Sequence, residues 1–230
     1  MHTTIDRRAF LGASGLGLAA AAAGRATAAR DWRRVAVEEA FSLPEQMDLF
    51  RGLLKTSLYD PDLYLAQFQV SRDPLRRRLL DLEQERLAIM DANGVAMHVL
   101  SLTSTGVQAF DADTGSALAT LANDRLAEVI ARHPQRFAGL ASFAPQDPGR
   151  AVKEIERAIT RLKLNGLIVN SHTNGEYLSE RKYWPILEAI AGLRASLYIH
   201  PRAPGPAMAA AYRPEHLEHG IFGYQAETGL

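Results

Sequence analysis

The chain contains no cysteine. No disulfide frame and no thiolate metal site can be built from it, so any bound metal must be held by oxygen and nitrogen donors. It carries no net charge either. Its 26 lysines and arginines balance 26 aspartates and glutamates, which leaves no electrostatic footprint for nucleic acid. A long hydrophobic run is also missing. The apolar stretch from Leu11 to Ala23 falls short of the roughly 20 residues that span a bilayer. Finally, no glycine-rich phosphate turn follows the first strand-like segment. Glu38-Glu39-Ala40-Phe41 stands there instead, which argues against an open nucleotide-binding sheet.

The first 28 residues read as a leader. Asp6-Arg7-Arg8-Ala9-Phe10-Leu11-Gly12 is similar to a twin-arginine export signal, and Ala26-Thr27-Ala28 is a small-x-small cleavage site. Residues 1–28 are therefore expected to be a signal peptide, with an uncleaved anchor as the alternative. The mature protein, 29–230, is expected in the periplasm with no membrane attachment after cleavage. Its charge is 23 basic against 25 acidic residues, or −2. Arg76-Arg77-Arg78 reads as a solvated helix start. A hydrophobic content of 47% is ordinary for one globular core.

Strand-like and helix-like segments then alternate. Strands are expected at 35–38, 97–102, 137–144, 166–170 and 196–200. Residues 41–73 form a mixed, cap-like insertion. Helices are expected at 75–93, 114–133, 148–162 and 180–193. In the second of these Ala117, Leu118, Leu121, Leu126, Val129 and Ile130 fall on the buried side. Strands separated by helices with short returns make an α/β fold with a parallel sheet.

Polar residues gather at the strand C-termini: Glu38, Ser101 with Thr103, Asn170 with Ser171 and His172, and His200. A barrel sets such ends around one mouth. Glu38 and His200 each end a short apolar run, and together they suit one divalent ion of the zinc or manganese kind. Asn170 sits at an inward-pointing strand end. His172, just past it, reads either as a mouth residue or as a loop histidine with local bonds. His98 reads as a satisfied core or interlayer residue and Arg202 as a brace for its loop.

Several segments together carry a family resemblance. They are Val-Ala-Val-Glu-Glu-Ala-Phe at 35–41, Leu-Thr-Ser-Thr-Gly-Val-Gln at 102–108, Asn-Asp-Arg-Leu-Ala-Glu at 123–128, Pro-Gln-Arg-Phe-Ala-Gly at 134–139, Val-Asn-Ser-His-Thr-Asn-Gly-Glu-Tyr-Leu at 169–178 and Ile-His-Pro-Arg at 199–202. As a set they resemble the amidohydrolase-related metal decarboxylases, a group that includes the 5-carboxyvanillate, 2,3-dihydroxybenzoate and γ-resorcylate enzymes. The resemblance implies a (β/α)8 TIM barrel of the metal-dependent hydrolase type. One Mn²⁺ or Zn²⁺ is expected at its mouth, with Glu38 and His200 as ligands and Glu39 facing elsewhere. Ala40 stands where many relatives place a histidine. The family's catalytic Asp and His would lie beyond Leu230, so the barrel is expected to be truncated after about strand five. Arg72 falls near the family's carboxylate-clamping arginine, with a surface arginine as its other reading. The implied reaction of the parent protein is non-oxidative decarboxylation of a phenolic aromatic carboxylic acid, with no organic cofactor. A homo-oligomer is implied at full length, and the chain itself is expected to be an incomplete, inactive fragment. Two other readings stay open: metal-dependent hydrolysis of a lactone or amide, and a non-catalytic truncated product.

Overall fold

Short apolar stretches that a helix returns to the sheet fold as parallel strands, because helices can cover the outer face. The computed structural model describes residues 33–56, 62–212, 224, 225 and 227. The expected leader at 1–28 lies outside the described residues. Strands β1 (Arg34–Phe41), β2 (Val95–Leu102), β3 (Phe137–Ser142), β4 (Gly166–Asn170) and β5 (Leu197–His200) form one parallel sheet in that spatial order. It is half of a TIM barrel, with β1 and β5 as its outer strands.

Between β1 and β2 lie α1 (Pro44–Leu53), α2 (Leu63–Ser71), α3 (Asp73–Leu80) and α4 (Gln84–Ala92). The returns further on are α5 (Ala112–Arg132), α6 (Pro148–Thr160) and α7 (Trp184–Leu193), and α8 (Pro206–Tyr212) follows β5. Among the described residues no helix is long and apolar enough to cross a membrane. The core lies between sheet and helices, where Leu100, Leu126, Ile155, Leu167 and Ile186 are fully buried. Helix α5 seats on β3 because residue 139 is glycine. A Cβ there would meet Leu126 Cδ2 at 2.7 Å and Ile130 Cδ1 at 2.8 Å.

Two helix expectations need correction. The single helix expected at 75–93 is two helices. Asp81 makes the break: its carboxylate accepts from the backbone N–H groups of Glu83 (3.0 Å), Gln84 (2.9 Å), Glu85 (2.5 Å) and Arg86 (3.2 Å). One side chain thus satisfies most of the free donors at the start of α4. Burial alone would raise the Asp81 pKa, but the four N–H groups outweigh it and hold the carboxyl below its usual value of 3.8. On α5, Ala117 faces solvent, while Ala119, Ala122 and Asn123 take buried positions. The Asn123 amide donates to Ser142 O and accepts from Ser142 N, both at 2.8 Å. It therefore pairs with the end of β3 as a neighbouring strand would.

The segment after β5 is tied to the insertion by a buried ion pair. Arg202 Nε donates to Asp62 Oδ2 at 2.7 Å, and Ala203 N donates to Asp62 Oδ1 at 3.1 Å. Arg202 is 1% exposed and Asp62 is 0% exposed. Arg202 also reaches back through its backbone N–H to Ser171 Oγ (3.2 Å). The brace expected at Arg202 is thus a link across 140 residues, and it fixes α2 over the C-terminal ends of the strands.

Asp62→Ala should lower stability by about 3–5 kcal/mol, because it strands a buried guanidinium. The Asp62→Leu/Arg202→Met double variant should recover much of that loss; urea midpoints of the four proteins measure the coupling. Asp81→Ala should cost about 0.5–2 kcal/mol as a lost cap. Because the folded-state pKa of Asp81 is depressed, its contribution is complete above the ordinary aspartate range and is lost as pH falls through the lower, folded value. Urea titrations between pH 7 and pH 2 should therefore show the gap between wild type and Asp81→Ala closing only at the acid end.

Candidate metal centre

Glu38 reaches the mouth from an irregular stretch of β1. The register with β2 shifts between Ala36 and Glu39, so Val37 and Glu38 together stand opposite Val99. Such a bulge bends and re-aims a strand. From Glu38 onward the side chains alternate. Glu38 and Ala40 line the cavity at the mouth, while Glu39 and Phe41 point to the helix side. Phe41 is buried in the core there. Glu39 lies 3.7 Å from Arg86 and 3.5 Å from His98, and Arg86 donates to Ala40 O at 2.8 Å. Burial pushes the His98 pKa down, although the Glu39 charge opposes this. Glu39 thus faces away from the mouth, and His98 beside it is buried between sheet and helices, with no hydrogen-bond partner for Nδ1 among the described residues.

His200 ends β5, and its Nε2 lies 3.3 Å from Glu38 Oε1. Its Nδ1 lies 2.7 Å from Pro201 O. A carbonyl only accepts, so Nδ1 carries the hydrogen and Nε2 of the neutral ring presents a lone pair. The group facing it is a carboxylate oxygen, which also offers only lone pairs. Two such donors converging, with the second ring nitrogen tied to a backbone carbonyl, fit a divalent cation in both atom type and orientation. Among the described residues no third His, Cys, Asp or Glu completes a cluster with them. Tyr198 lies two residues before His200, on the same face of β5, and within electrostatic reach of the Glu38 carboxylate. Burial, helped by that carboxylate, pushes its pKa up to about 12.

A cavity of about 250 Å³ opens over the pair. Its walls are Ser101, Leu102, Thr103 and Ser104 from β2 and the turn after it, Ile168 from β4, Leu65 and Gln69 from α2, and Tyr224. Sequence reasoning placed Ser101 and Thr103 at this mouth but missed Tyr198, Leu65 and Gln69. The α2 residues carry a faint signal: Leu65, Ala66 and Gln69 share one helical stripe, and a glutamine interrupts its apolar character.

Three further candidates lie elsewhere. Asn170 is buried and fully engaged: its amide donates to Thr105 O and Gln108 Oε1 (both 3.0 Å) and accepts from Ser104 Oγ (3.0 Å). It holds the turn that carries Thr103 and Ser104. His172 accepts at Nδ1 from Gly175 N (3.2 Å) and donates from Nε2 to Ala203 O (2.8 Å). Both ring nitrogens therefore staple loops. Arg72 is exposed, with its guanidinium 4.3 Å above the Phe68 ring. None of the three lines the cavity over Glu38 and His200.

A sequence profile of the Amidohydrolase family matches residues 60–227. The γ-resorcylate decarboxylase of Polaromonas sp. is 34% identical over 186 residues, covering 78% of this chain and 53% of that protein. The crystal structure of 5-carboxyvanillate decarboxylase from Sphingomonas paucimobilis matches with a TM-score of 0.81 at 46% identity, over 86% of this chain and 60% of that one. The 5-carboxyvanillate decarboxylase of Novosphingobium aromaticivorans, solved with manganese and 4-hydroxy-3-methoxy-5-nitrobenzoic acid, matches with a TM-score of 0.79 at 37% identity, over 88% of this chain and 60% of that one. The chain thus spans between one half and two thirds of the length of these relatives. The profile covers most of its sequence and these structures share its half-barrel, so the chain belongs to the amidohydrolase family.

Proposed function

We propose that this chain supplies metal-binding strands to a non-oxidative decarboxylase of phenolic aromatic carboxylic acids. The observation that carries the reading is the 3.3 Å approach of Glu38 to His200 at the strand ends. It gains support from relatives that are decarboxylases of such acids, one of them solved with manganese. When bound there, a divalent ion such as Mn²⁺ supplies the positive charge that fixes a carboxylate and its ortho oxygen.

The protein's own part is orientation. Glu38 Oε1 and His200 Nε2 would be the donors, and the Pro201 carbonyl sets the imidazole plane. Leu65, Leu102 and Ile168 offer apolar walls to a ring. At about 250 Å³ the cavity is slightly below the usual range for drug-sized ligands, which suits one substituted ring. In the reaction a proton is added to the ring carbon bearing the carboxylate, the bond to the carboxylate carbon breaks, CO₂ leaves and aromaticity returns. No oxidant or organic cofactor enters the balance. Among the described residues Glu38 is the one carboxylic acid lining the cavity, and as a metal donor it is committed. The proton donor in this reading is the family's aspartate.

Lactone or amide hydrolysis is the weaker reading, because Ala40 lines the cavity where a second strand-one donor would serve water activation. The Arg7-Arg8 motif and the Ala26-Thr27-Ala28 site support export, with metal loaded before the folded protein crosses. The complete protein is read as a homo-oligomer.

Dialysed chain should take up one equivalent of Mn²⁺ by plasma mass spectrometry. Glu38→Gln and His200→Ala should each weaken uptake by at least the ~10–100-fold that loss of an outer-sphere partner costs. The complete gene product should release CO₂ from 5-carboxyvanillate or 2,6-dihydroxybenzoate, stop on chelation and recover with Mn²⁺. Uptake indifferent to both substitutions, or lactone hydrolysis without CO₂, would refute the assignment.

A further inference from the structure

Glu38 stands on the most weakly held stretch of its strand. The pairing of β1 with β2 runs from Ala36 opposite His98 to Glu39 opposite Leu100, and the register skips Val37 and Glu38. A bulge re-aims a side chain but leaves the local ladder disrupted. A metal donor must nonetheless be held to within about 0.5 Å of its working position. Support for Glu38 has to come from outside the ladder.

Arg86 provides it from the helix side. Its side chain is 9% exposed. Nη2 donates to Ala40 O at 2.8 Å, and Nη1 lies 3.7 Å from Glu39 Oε2. The guanidinium thus holds both residues that follow Glu38. Its own place is set by the end of α3 and the cap of α4. Nε donates to Asp81 O at 3.1 Å, Nη2 also reaches Arg78 O at 3.4 Å, and the backbone N–H donates to Asp81 Oδ2 at 3.2 Å. A planar fork meets a strand carbonyl and a cap carbonyl in fixed directions, which an ammonium on a flexible stem does not.

We propose that Arg86 is a positioning residue for the metal centre: its hold on Ala40 and Glu39 locks the bulge of β1 and keeps the Glu38 carboxylate turned towards His200. The inference rests on the proposed function and gives the strand-one donor a support on the outer face of the sheet. Arg136 offers a matched comparison. It braces β2 in the same manner, donating to Ala96 O at 3.2 Å, Val95 O at 3.4 Å and Asp91 Oδ1 at 2.7 Å. Val95 and Ala96 begin β2, whereas Ser101 and Leu102 at its other end line the cavity.

The test is Mn²⁺ binding by the 230-residue chain, read from the electron paramagnetic resonance of free Mn²⁺ and scaled to the folded fraction, followed by the spectrum of the saturated protein. Arg86→Met should weaken binding about tenfold, the lower end of what an outer-sphere partner costs. Arg86→Lys should weaken it about threefold or more, because it keeps the charge and loses the fork. Both should change the zero-field splitting of the bound ion, since the donor geometry around it has changed. Arg136→Met and Arg136→Lys should keep wild-type affinity and spectrum even where their urea midpoints fall as far. One folded variant at each arginine is sufficient. Wild-type uptake with Arg86 variants that bind as tightly, or that bind more weakly with an unaltered spectrum, overturns the Arg86 assignment alone. Equal losses in the Arg136 variants overturn it as well, because the effect then belongs to the sheet at large. No Mn²⁺ uptake by the wild type overturns the proposed function and this inference with it.

Discussion

Curvature of the sheet is the constraint on which the site depends. Glu38 and His200 sit on outer strands with three strands between them, yet their side chains meet at 3.3 Å. In a flat sheet, strands about 4.8 Å apart would leave β1 and β5 about 19 Å from each other. A glutamate and a histidine cannot close that gap. The twist between neighbouring strands, accumulated and coiled into a half-barrel, can. Whatever lets helices seat closely on the convex side therefore acts on the site from a distance. Gly139 is one such residue, since any side chain there would push Leu126 and Ile130 outward.

Strand one is held on both sides. Inside, Glu38 meets His200 at 3.3 Å. Outside, Arg86 and His98 flank Glu39, and Arg86 also holds the Ala40 carbonyl. Consecutive glutamates thus serve different layers, and pinning the outer one limits how the inner one can turn. The Asp62–Arg202 pair has a comparable role for the cap. A buried ion pair is weak evidence of stability, because desolvation offsets the attraction. Its value here is positional: it joins α2, which carries Leu65 and Gln69, to the loop that follows His200.

The alternation of strands and helices was legible because parallel strands are written as short apolar runs: 166–170 is fully buried and reads that way directly, and 197–200 reads the same way although, as an outer strand, it is only partly buried. The two metal candidates were legible for the same reason, as polar residues where an apolar run stops. What could not be read were residues whose role is set by a bond to a distant segment. The Leu75–Met90 pattern continues across the Asp81 break, because an N-cap is a local carboxylate bond and leaves the hydrophobic stripe intact. Asn170 and His172 stand at the mouth in sequence terms, but their ring and amide atoms are used by residues 104–108 and by Gly175 and Ala203. Arg72 followed the family's insertion only loosely and ends on Phe68. Gln69 and Asp62 gave little sign, because their partners lie on β2, the turn after it and the loop after β5. The Asn174-Gly175 turn, with φ of 54° and 83°, was a hairpin signal in plain sight. It closes a two-residue ladder between His172–Thr173 and Glu176–Tyr177.

The exposed border of β1 has a consequence for handling the protein. Val35 is 44% and Val37 is 68% exposed, and among the described residues only β2 pairs with this strand. A bare strand margin with apolar side chains is a template for uncontrolled polymerisation. Charges bracket it: Arg33 and Arg34 before the valines, Glu38 and Glu39 after them. These act as gatekeepers. Glu38 and Glu39 thus also help keep the molecule colloidally dispersed.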